Sequence, residues 1–140
     1  MAKLFFNYST MNAGKSTILL QAAHNYEEKG MAPYLLTAEI DNRSGAGKIA
    51  SRIGIEKDAD TFNNRVNLYN LLKLKQKGSA IACVLIDEAQ FLTKDQVWQL
   101  ARAVDDLFLP VLCYGLRVDF QGNLFPGSSA LLGLADELKE

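Results

Sequence analysis

The chain has 140 residues, a length that suits one domain with a single hydrophobic core. Its 15 lysine and arginine residues nearly balance 16 aspartate and glutamate residues, so it lacks the basic field that nucleic acid binding usually needs, and nucleic acid is not an expected partner. No apolar run is long enough to span a bilayer and the N-terminus lacks a signal-peptide pattern, so we expect a cytoplasmic protein with no membrane partner.

The first predicted elements are a short apolar strand over residues 3–8 and a helix that opens at residue 16. The loop between them follows the phosphate-binding pattern G-x-x-x-x-G-K-[ST], with serine in place of the first glycine. It consists of Ser9, Thr10, Met11, Asn12, Ala13, Gly14, Lys15 and Ser16. The backbone N–H groups of such a loop and the N-terminus of the following helix surround phosphate oxygens. The segment therefore predicts a bound nucleoside triphosphate.

Three residues of this loop have specific expected roles. Gly14 lets the backbone approach the phosphates closely, Lys15 places its ammonium on the β- and γ-phosphate oxygens, and the Ser16 hydroxyl can ligate Mg²⁺. The alternative is a Gly-Lys-Ser turn that only caps an ordinary helix.

Predicted strands and helices alternate along the rest of the chain, as judged from apolar runs and from helical spacing of apolar residues. The strands cover residues 33–38, 81–86 and 110–116, and the helices cover 66–76, a segment capped by Thr93 or Asp95, and 130–138. This alternation predicts an α/β domain with a mainly parallel sheet. The loop over residues 9–16 resembles that of P-loop NTPases, and this resemblance implies their three-layer, RecA-like fold. Ligands of such folds gather at the carboxyl ends of the strands.

The cysteine, histidine and tryptophan residues are not expected to bind metal or to take part in catalysis. Cys83 and Cys113 lie inside apolar runs, where free cysteine behaves as a small hydrophobic residue. His24 has no second histidine beside it and is expected on a half-exposed helix face, so no zinc site is predicted within these residues. Trp98 is expected to serve packing.

An acidic pair follows the third predicted strand. Asp87 is placed to hold the Mg²⁺ that Ser16 also contacts, and Glu88 is placed to accept a proton from the hydroxyl or water that attacks the γ-phosphate. The alternative for Glu88 is a solvated carboxylate. An Asp-Glu pair alone does not separate a kinase from an ATPase, and Asp-Glu-Ala-Gln also looks like the acidic box of helicases.

Several motifs in order give the chain a specific resemblance. It resembles the thymidine kinases found in many bacteria and in animal cytosol, and it looks like a bacterial member. The matching segments are residues 11–17, 37–41, 51–54, 87–92 and 114–122. The resemblance implies transfer of the γ-phosphoryl group of ATP to the 5′-hydroxyl of thymidine, a salvage reaction that supplies dTMP for DNA synthesis.

The resemblance also implies roles for individual residues. Glu88 becomes the catalytic base, and the phosphate-binding segment extends from Ser9 to Thr17. Asp41 matches a family position near Mg²⁺, acting directly or through water, and Arg43 matches one near the phosphates. Arginine there would neutralise charge on the transferred group, and a solvated loop charge is the alternative.

The acceptor of this family is thymidine or deoxyuridine, and a flat methylated ring needs apolar and aromatic walls. The residues expected to supply them are Met11, Phe91, Leu116, Phe120 and Phe125. Core packing is the alternative for Leu116 and Phe125.

The resemblance implies further features beyond the nucleotide site. Residues 1–140 are expected to form the P-loop ATP-binding kinase domain, and the family's C-terminal zinc and lasso subdomain has no counterpart among them. Activity without that closing part is expected to be weak. A homo-oligomer, a tetramer by resemblance, is expected. A generic P-loop ATPase or helicase-like module and a catalytically silent nucleotide-binding fragment remain the alternatives.

Overall fold

The computed structural model describes residues 2–9, 15–39, 47–51, 54–119 and 121–140. These residues contain eight strands, four α-helices and one 3₁₀ turn, which follow each other along the chain in this order. The elements are β1 (Leu4–Ser9), α1 (Lys15–Glu28), β2 (Ala32–Ala38), β3 (Lys48–Ala50), β4 (Glu56–Asp58), β5 (Asp60–Phe62), α2 (Leu68–Gly78), β6 (Ile81–Asp87), a 3₁₀ turn (Ala89–Phe91), α3 (Lys94–Leu107), β7 (Val111–Leu116), α4 (Pro126–Leu134) and β8 (Glu137–Lys139).

Six of the strands form one sheet in the order β5-β2-β6-β7-β1-β8, and every described pair in it is parallel. Strand β7 lies between β1 and β6, with Ser9 of β1 opposite Leu116 and Ile86 of β6 opposite Cys113. The carboxyl ends of β1, β7 and β6 therefore adjoin at one edge of the sheet. Strands β3 and β4 form a separate antiparallel pair.

The helices cover both faces of the sheet. On one face, Leu19 of α1 packs in a cluster with Leu85 of β6 and Tyr114 of β7. On the other face, α2, α3 and α4 contribute to a larger cluster that includes Val84 and Ile86. Successive residues of β6 point to opposite faces, which explains why the run is apolar throughout. The predicted three-layer α/β fold with a parallel sheet is confirmed.

Local signals set the helix ends. Helix α1 stops before Gly30, whose φ of 74° is a left-handed conformation that glycine adopts readily. Of the two candidate caps for α3, Thr93 is the one used: its hydroxyl accepts from the Gln96 N–H, and the Gln96 side chain accepts from the Thr93 N–H. This capping box satisfies two backbone donors at the start of the helix.

The C-terminal segment differs from its prediction. The helix expected over residues 130–138 instead begins at Pro126, whose fixed φ suits the first helical turn, and it ends at Leu134. Strand β8 follows beside β1. The Asp136 carboxylate accepts from the Leu4 N–H at 2.8 Å, and the Asp136 N–H donates to the Leu4 carbonyl at 2.8 Å. These bonds turn the chain onto the free edge of the sheet.

Other expectations have mixed outcomes. Cys83 and Cys113 are both buried, and burial raises the pKa of the Cys83 thiol to about 11, as expected for packing residues. Trp98 does not pack as predicted, since 55% of its surface is exposed on α3. His24 lies on an exposed face of α1, 3.1 Å from Glu28. Within the described part of the chain, no helix combines the length and apolar character needed to cross a bilayer.

Candidate active site

The residues predicted to act on the nucleotide and the acceptor divide into two groups. Those in the described part of the chain are Ser9, Lys15, Ser16, Thr17, Asp87, Glu88, Phe91, Leu116 and Phe125. The predictions for Thr10, Met11, Asn12, Ala13, Gly14, Asp41, Arg43 and Phe120 lie outside the described residues. Most of the first group lies at the carboxyl ends of β1, β6 and β7 and at the N-terminus of α1, whereas Phe91 ends the 3₁₀ turn and Phe125 directly precedes α4.

A strand and a helix flank the predicted phosphate-binding segment, as the pattern requires. Ser9 is the last residue of β1, and Lys15 is the first residue of α1. The Lys15 side chain is buried, and this burial lowers its pKa from the ordinary value of 10.5, with the Glu140 carboxylate acting in the opposite direction. A cation held away from water gains strongly from a nearby anion, so this position favours binding of phosphate.

A hydrogen bond links the start of α1 to the end of β6. Ser16 Oγ donates to Asp87 Oδ2 at 3.1 Å, although the two residues are 71 positions apart in the chain. Asp87 is the last residue of β6 and is only 6% exposed. The structure therefore brings together two of the predicted metal-ligating residues.

Glu88 follows Asp87 in an uncommon backbone conformation. Its φ of 56° and ψ of 42° are left-handed, a region that residues other than glycine seldom adopt. The 3₁₀ turn of Ala89–Phe91 begins directly after it. Such a conformation costs free energy and persists only where the surrounding structure holds it in place. Phe108 has a similar φ of 56°, but it lies at the end of α3, where left-handed residues commonly end helices.

Gln90 is a site residue to which the sequence analysis assigned no role. Its side chain is 3% exposed, and its Nε2 donates to Glu88 Oε2 at 2.5 Å. Its Oε1 accepts from the backbone N–H of Leu116 at 3.1 Å. The only sequence signal was a polar residue two positions after the acidic pair, which gives no indication of its partners.

Two glycines allow the 3₁₀ turn to pack closely against its neighbours. A Cβ at Gly115 would lie 2.5 Å from Gln90 Oε1 and 3.0 Å from the Gln90 backbone nitrogen. A Cβ at Gly127 would lie 2.5 Å from the Leu92 carbonyl oxygen and 2.9 Å from that of Ala89. The end of β7 and the start of α4 therefore both contact the segment that contains Glu88.

Apolar side chains lie beside this segment. The rings of Phe91 and Phe125 contact each other edge to face, with centroids 5.9 Å apart, and Phe91 is 37% exposed. Leu116 and Phe125 are half-buried, so neither is an ordinary core residue. The Ser128 hydroxyl donates to the Leu116 carbonyl and thereby connects α4 to the end of β7. The arrangement offers partly exposed apolar surface, which could contact a flat ring.

Comparison with known proteins gives a consistent result. A family model described as thymidine kinase matches residues 2–140. A thymidine kinase of Jannaschia sp. (strain CCS1) is 66% identical over 140 residues, which cover all of this chain and 72% of the relative. A thymidine kinase of Ruegeria pomeroyi is 64% identical over all of this chain and 71% of its own length, and one of Rhizobium meliloti is 61% identical over all of this chain and 73% of its own length.

Proposed function

The chain belongs to the thymidine kinase family, and on this basis we propose how its residues transfer a phosphoryl group from ATP to the 5′-hydroxyl of thymidine. The observation that carries the proposal is the hydrogen bond between Ser16 and Asp87, next to Glu88. It joins the triphosphate-binding segment to an acidic strand end, the pairing on which phosphoryl transfer by P-loop enzymes depends.

The donor nucleotide is held mainly by the segment from Ser9 to Thr17. Lys15 contacts the β- and γ-phosphate oxygens, which replace the water that its buried ammonium has lost. The N-terminus of α1, which begins at Lys15, favours the negative charge of the phosphates. The role of residues 10–14 rests on the loop pattern alone. Arg43, by its family position, adds positive charge beside the transferred group.

The described residues fit a magnesium ion. The oxygens of Ser16 and Asp87 are 3.1 Å apart, close to the roughly 3 Å that separates neighbouring ligands of an octahedral ion with bonds of about 2.1 Å. Hydroxyl and carboxylate oxygens are also ligands that this ion prefers. Ser16 and Asp87 would hold it, with Asp41 acting directly or through water. When bound, Mg²⁺ supplies positive charge against the β- and γ-phosphate oxygens.

Glu88 is the general base of the reaction. Its carboxylate accepts the proton of the 5′-hydroxyl as the hydroxyl oxygen forms its bond to the γ-phosphorus. The bond between the γ-phosphorus and the bridging oxygen breaks, and ADP leaves with that oxygen. The position of Glu88 directly after the Mg²⁺-binding Asp87 supports this role, because base and phosphates must lie within hydrogen-bonding reach of one acceptor.

The nucleoside base binds against the partly exposed apolar residues. The contacting rings of Phe91 and Phe125, together with Leu116, supply apolar surface for the base. Met11 and Phe120 are assigned to the same role by family resemblance alone. Aromatic walls suit both thymidine and deoxyuridine, since a single methyl group changes binding to such a surface by only about 1–3 kcal/mol.

Three broader features are also part of the proposal. Residues 1–140 act as one ATP-binding kinase domain, the protein assembles as a homo-oligomer, a tetramer by family resemblance, and it works in the cytoplasm. Light scattering of the purified protein at several concentrations measures the oligomeric state directly.

The test of the function is ADP release from MgATP, measured with and without thymidine. Lys15→Ala and Glu88→Gln should each remove the thymidine-dependent signal. Lys3→Ala and Glu28→Gln, which alter exposed side-chain contacts with Glu137 and His24 away from the site, are the matched controls and should keep it. Thymidine-independent ADP release that survives Glu88→Gln would contradict the kinase function and favour an ATPase. ATP binding without any ADP release would favour a silent nucleotide-binding domain.

A further inference from the structure

Gln90 links two parts of the candidate active site through its side-chain amide. Nε2 contacts the Glu88 carboxylate at 2.5 Å, and Oε1 contacts the Leu116 N–H at 3.1 Å. One buried group therefore spans from the residue after β6 to the end of β7. We propose that Gln90 is a positioning residue that holds the Glu88 carboxylate toward the acceptor, an inference that rests on the base role given to Glu88 above.

The chemistry of the two contacts requires an amide. The Glu88 carboxylate can only accept a hydrogen bond and the Leu116 N–H can only donate one. The Gln90 amide therefore points its NH₂ group at Glu88 and its oxygen at Leu116. A carboxylate in its place would put two negative groups together, and an apolar side chain would leave the Leu116 N–H without this partner. A neutral donor fixes the carboxylate without adding a charge beside the phosphates.

The backbone around Glu88 explains why such support is needed. The left-handed conformation of Glu88 costs free energy, and its long side chain has several rotamers to order. Gln90 can pack against the end of β7 because residue 115 is glycine: a Cβ on Gly115 would lie 2.5 Å from Gln90 Oε1. Because Gln90 is buried and makes both bonds, its amide restricts the position of the Glu88 carboxylate.

The consequence for the reaction concerns rate more than nucleotide binding. A base that is displaced by about 1 Å can lose up to about 100-fold in rate, because proton transfer requires hydrogen-bonding distance. Gln90 contacts none of the phosphate-binding residues in its described bonds. Its loss should therefore lower kcat while leaving the KM for ATP nearly unchanged.

The test compares Gln90→Met with Gln96→Met. Gln96 is a second buried glutamine, and its amide bonds the carbonyls of Asn63 and Val66 and the N–H of Thr93, away from the acidic pair. We expect Gln90→Met to lower kcat by about 10- to 100-fold with the KM for ATP within about twofold of wild type. Gln96→Met should lower Tm and leave the kcat of the folded protein within about twofold.

Amide hydrogen exchange gives a second readout that does not depend on activity. Gln90→Met should speed exchange in both residues 88–92 and residues 115–119, whereas Gln96→Met should not. A Gln90→Met protein with a lower Tm but wild-type kcat would reduce Gln90 to a packing residue and overturn the inference, as would unchanged exchange in both segments. If the wild-type protein shows no thymidine-dependent ADP release, the proposed function is contradicted. The exchange rates would in that case still show whether Gln90 connects residues 88–92 to residues 115–119.

Discussion

Replacing Gly115 by alanine should disturb both stability and activity. The added Cβ would lie 2.5 Å from Gln90 Oε1, 3.0 Å from the Gln90 nitrogen and 3.1 Å from the Ala89 nitrogen. Two of these three atoms belong to the backbone of the 3₁₀ turn, so a rotamer change of Gln90 cannot relieve the crowding by itself. The turn has to move away from β7, and it carries the Glu88 side chain with it.

The magnitude follows from this geometry. Overpacking of a close-packed site costs about 1–3 kcal/mol, which corresponds to a fall in Tm of about 3–12 °C for a domain of this size. Since the shift also weakens the bond between Gln90 and Glu88, kcat should fall by at least about 10-fold.

The matched control is Gly133→Ala. Gly133 lies in α4, and a Cβ there would meet nothing within 4 Å. Because alanine has a higher helix propensity than glycine, the free energy of unfolding of this variant should rise by up to about 1 kcal/mol, and its activity should be unchanged. Thermal unfolding and steady-state ADP release measure both effects. A Gly115→Ala protein that matches wild type in Tm and kcat would refute the argument that close packing positions the turn.

Three further predictions address other parts of the molecule. Asp87→Asn keeps the shape of the side chain but removes its charge, so kcat should fall at least about 100-fold and excess Mg²⁺ should not restore it in the ADP assay. Asp136→Ala removes the acceptor for the Leu4 N–H and should lower the free energy of unfolding in urea by about 1–2 kcal/mol; no change would contradict its role in docking β8. Iodoacetamide at pH 8 should label neither Cys83 nor Cys113 before denaturant is added, because both are buried and the pKa of Cys83 is raised to about 11; rapid labelling of the native protein would contradict this burial.

The sequence signals for the donor side of the candidate site are local. Consecutive residues around Lys15 predict a strand, a glycine-containing loop and a helix. Consecutive apolar residues likewise predict the strand that ends at Asp87. The hydrogen bond between Ser16 and Asp87 is long-range, yet it follows once both lie at the carboxyl ends of parallel strands.

The features that sequence missed depend on contacts between distant segments. The Gln90 side chain accepts from the Leu116 N–H, which lies within reach only because β7 pairs beside β6. Strand β8 has three residues with no usable alternation, and it forms because β1 has a free edge and Asp136 bonds to Leu4. Trp98 was expected to pack because large apolar side chains are usually buried, but on α3 more than half of its surface is exposed.

The position of β7 in the sheet separates the part of the chain that sets strand spacing from the loop that follows β7. Because β7 separates β1 from β6, those two strands are held about 9.5 Å apart by backbone pairing that is independent of side-chain identity. The connection after β7, residues 117–125, leaves the sheet at that point. Exchanging this connection for another sequence should therefore alter which hydroxyl compound enters without changing the spacing between the phosphate-binding strand and the acidic strand. Acceptor choice can in this way evolve as a loop property, while the phosphate chemistry stays with the sheet.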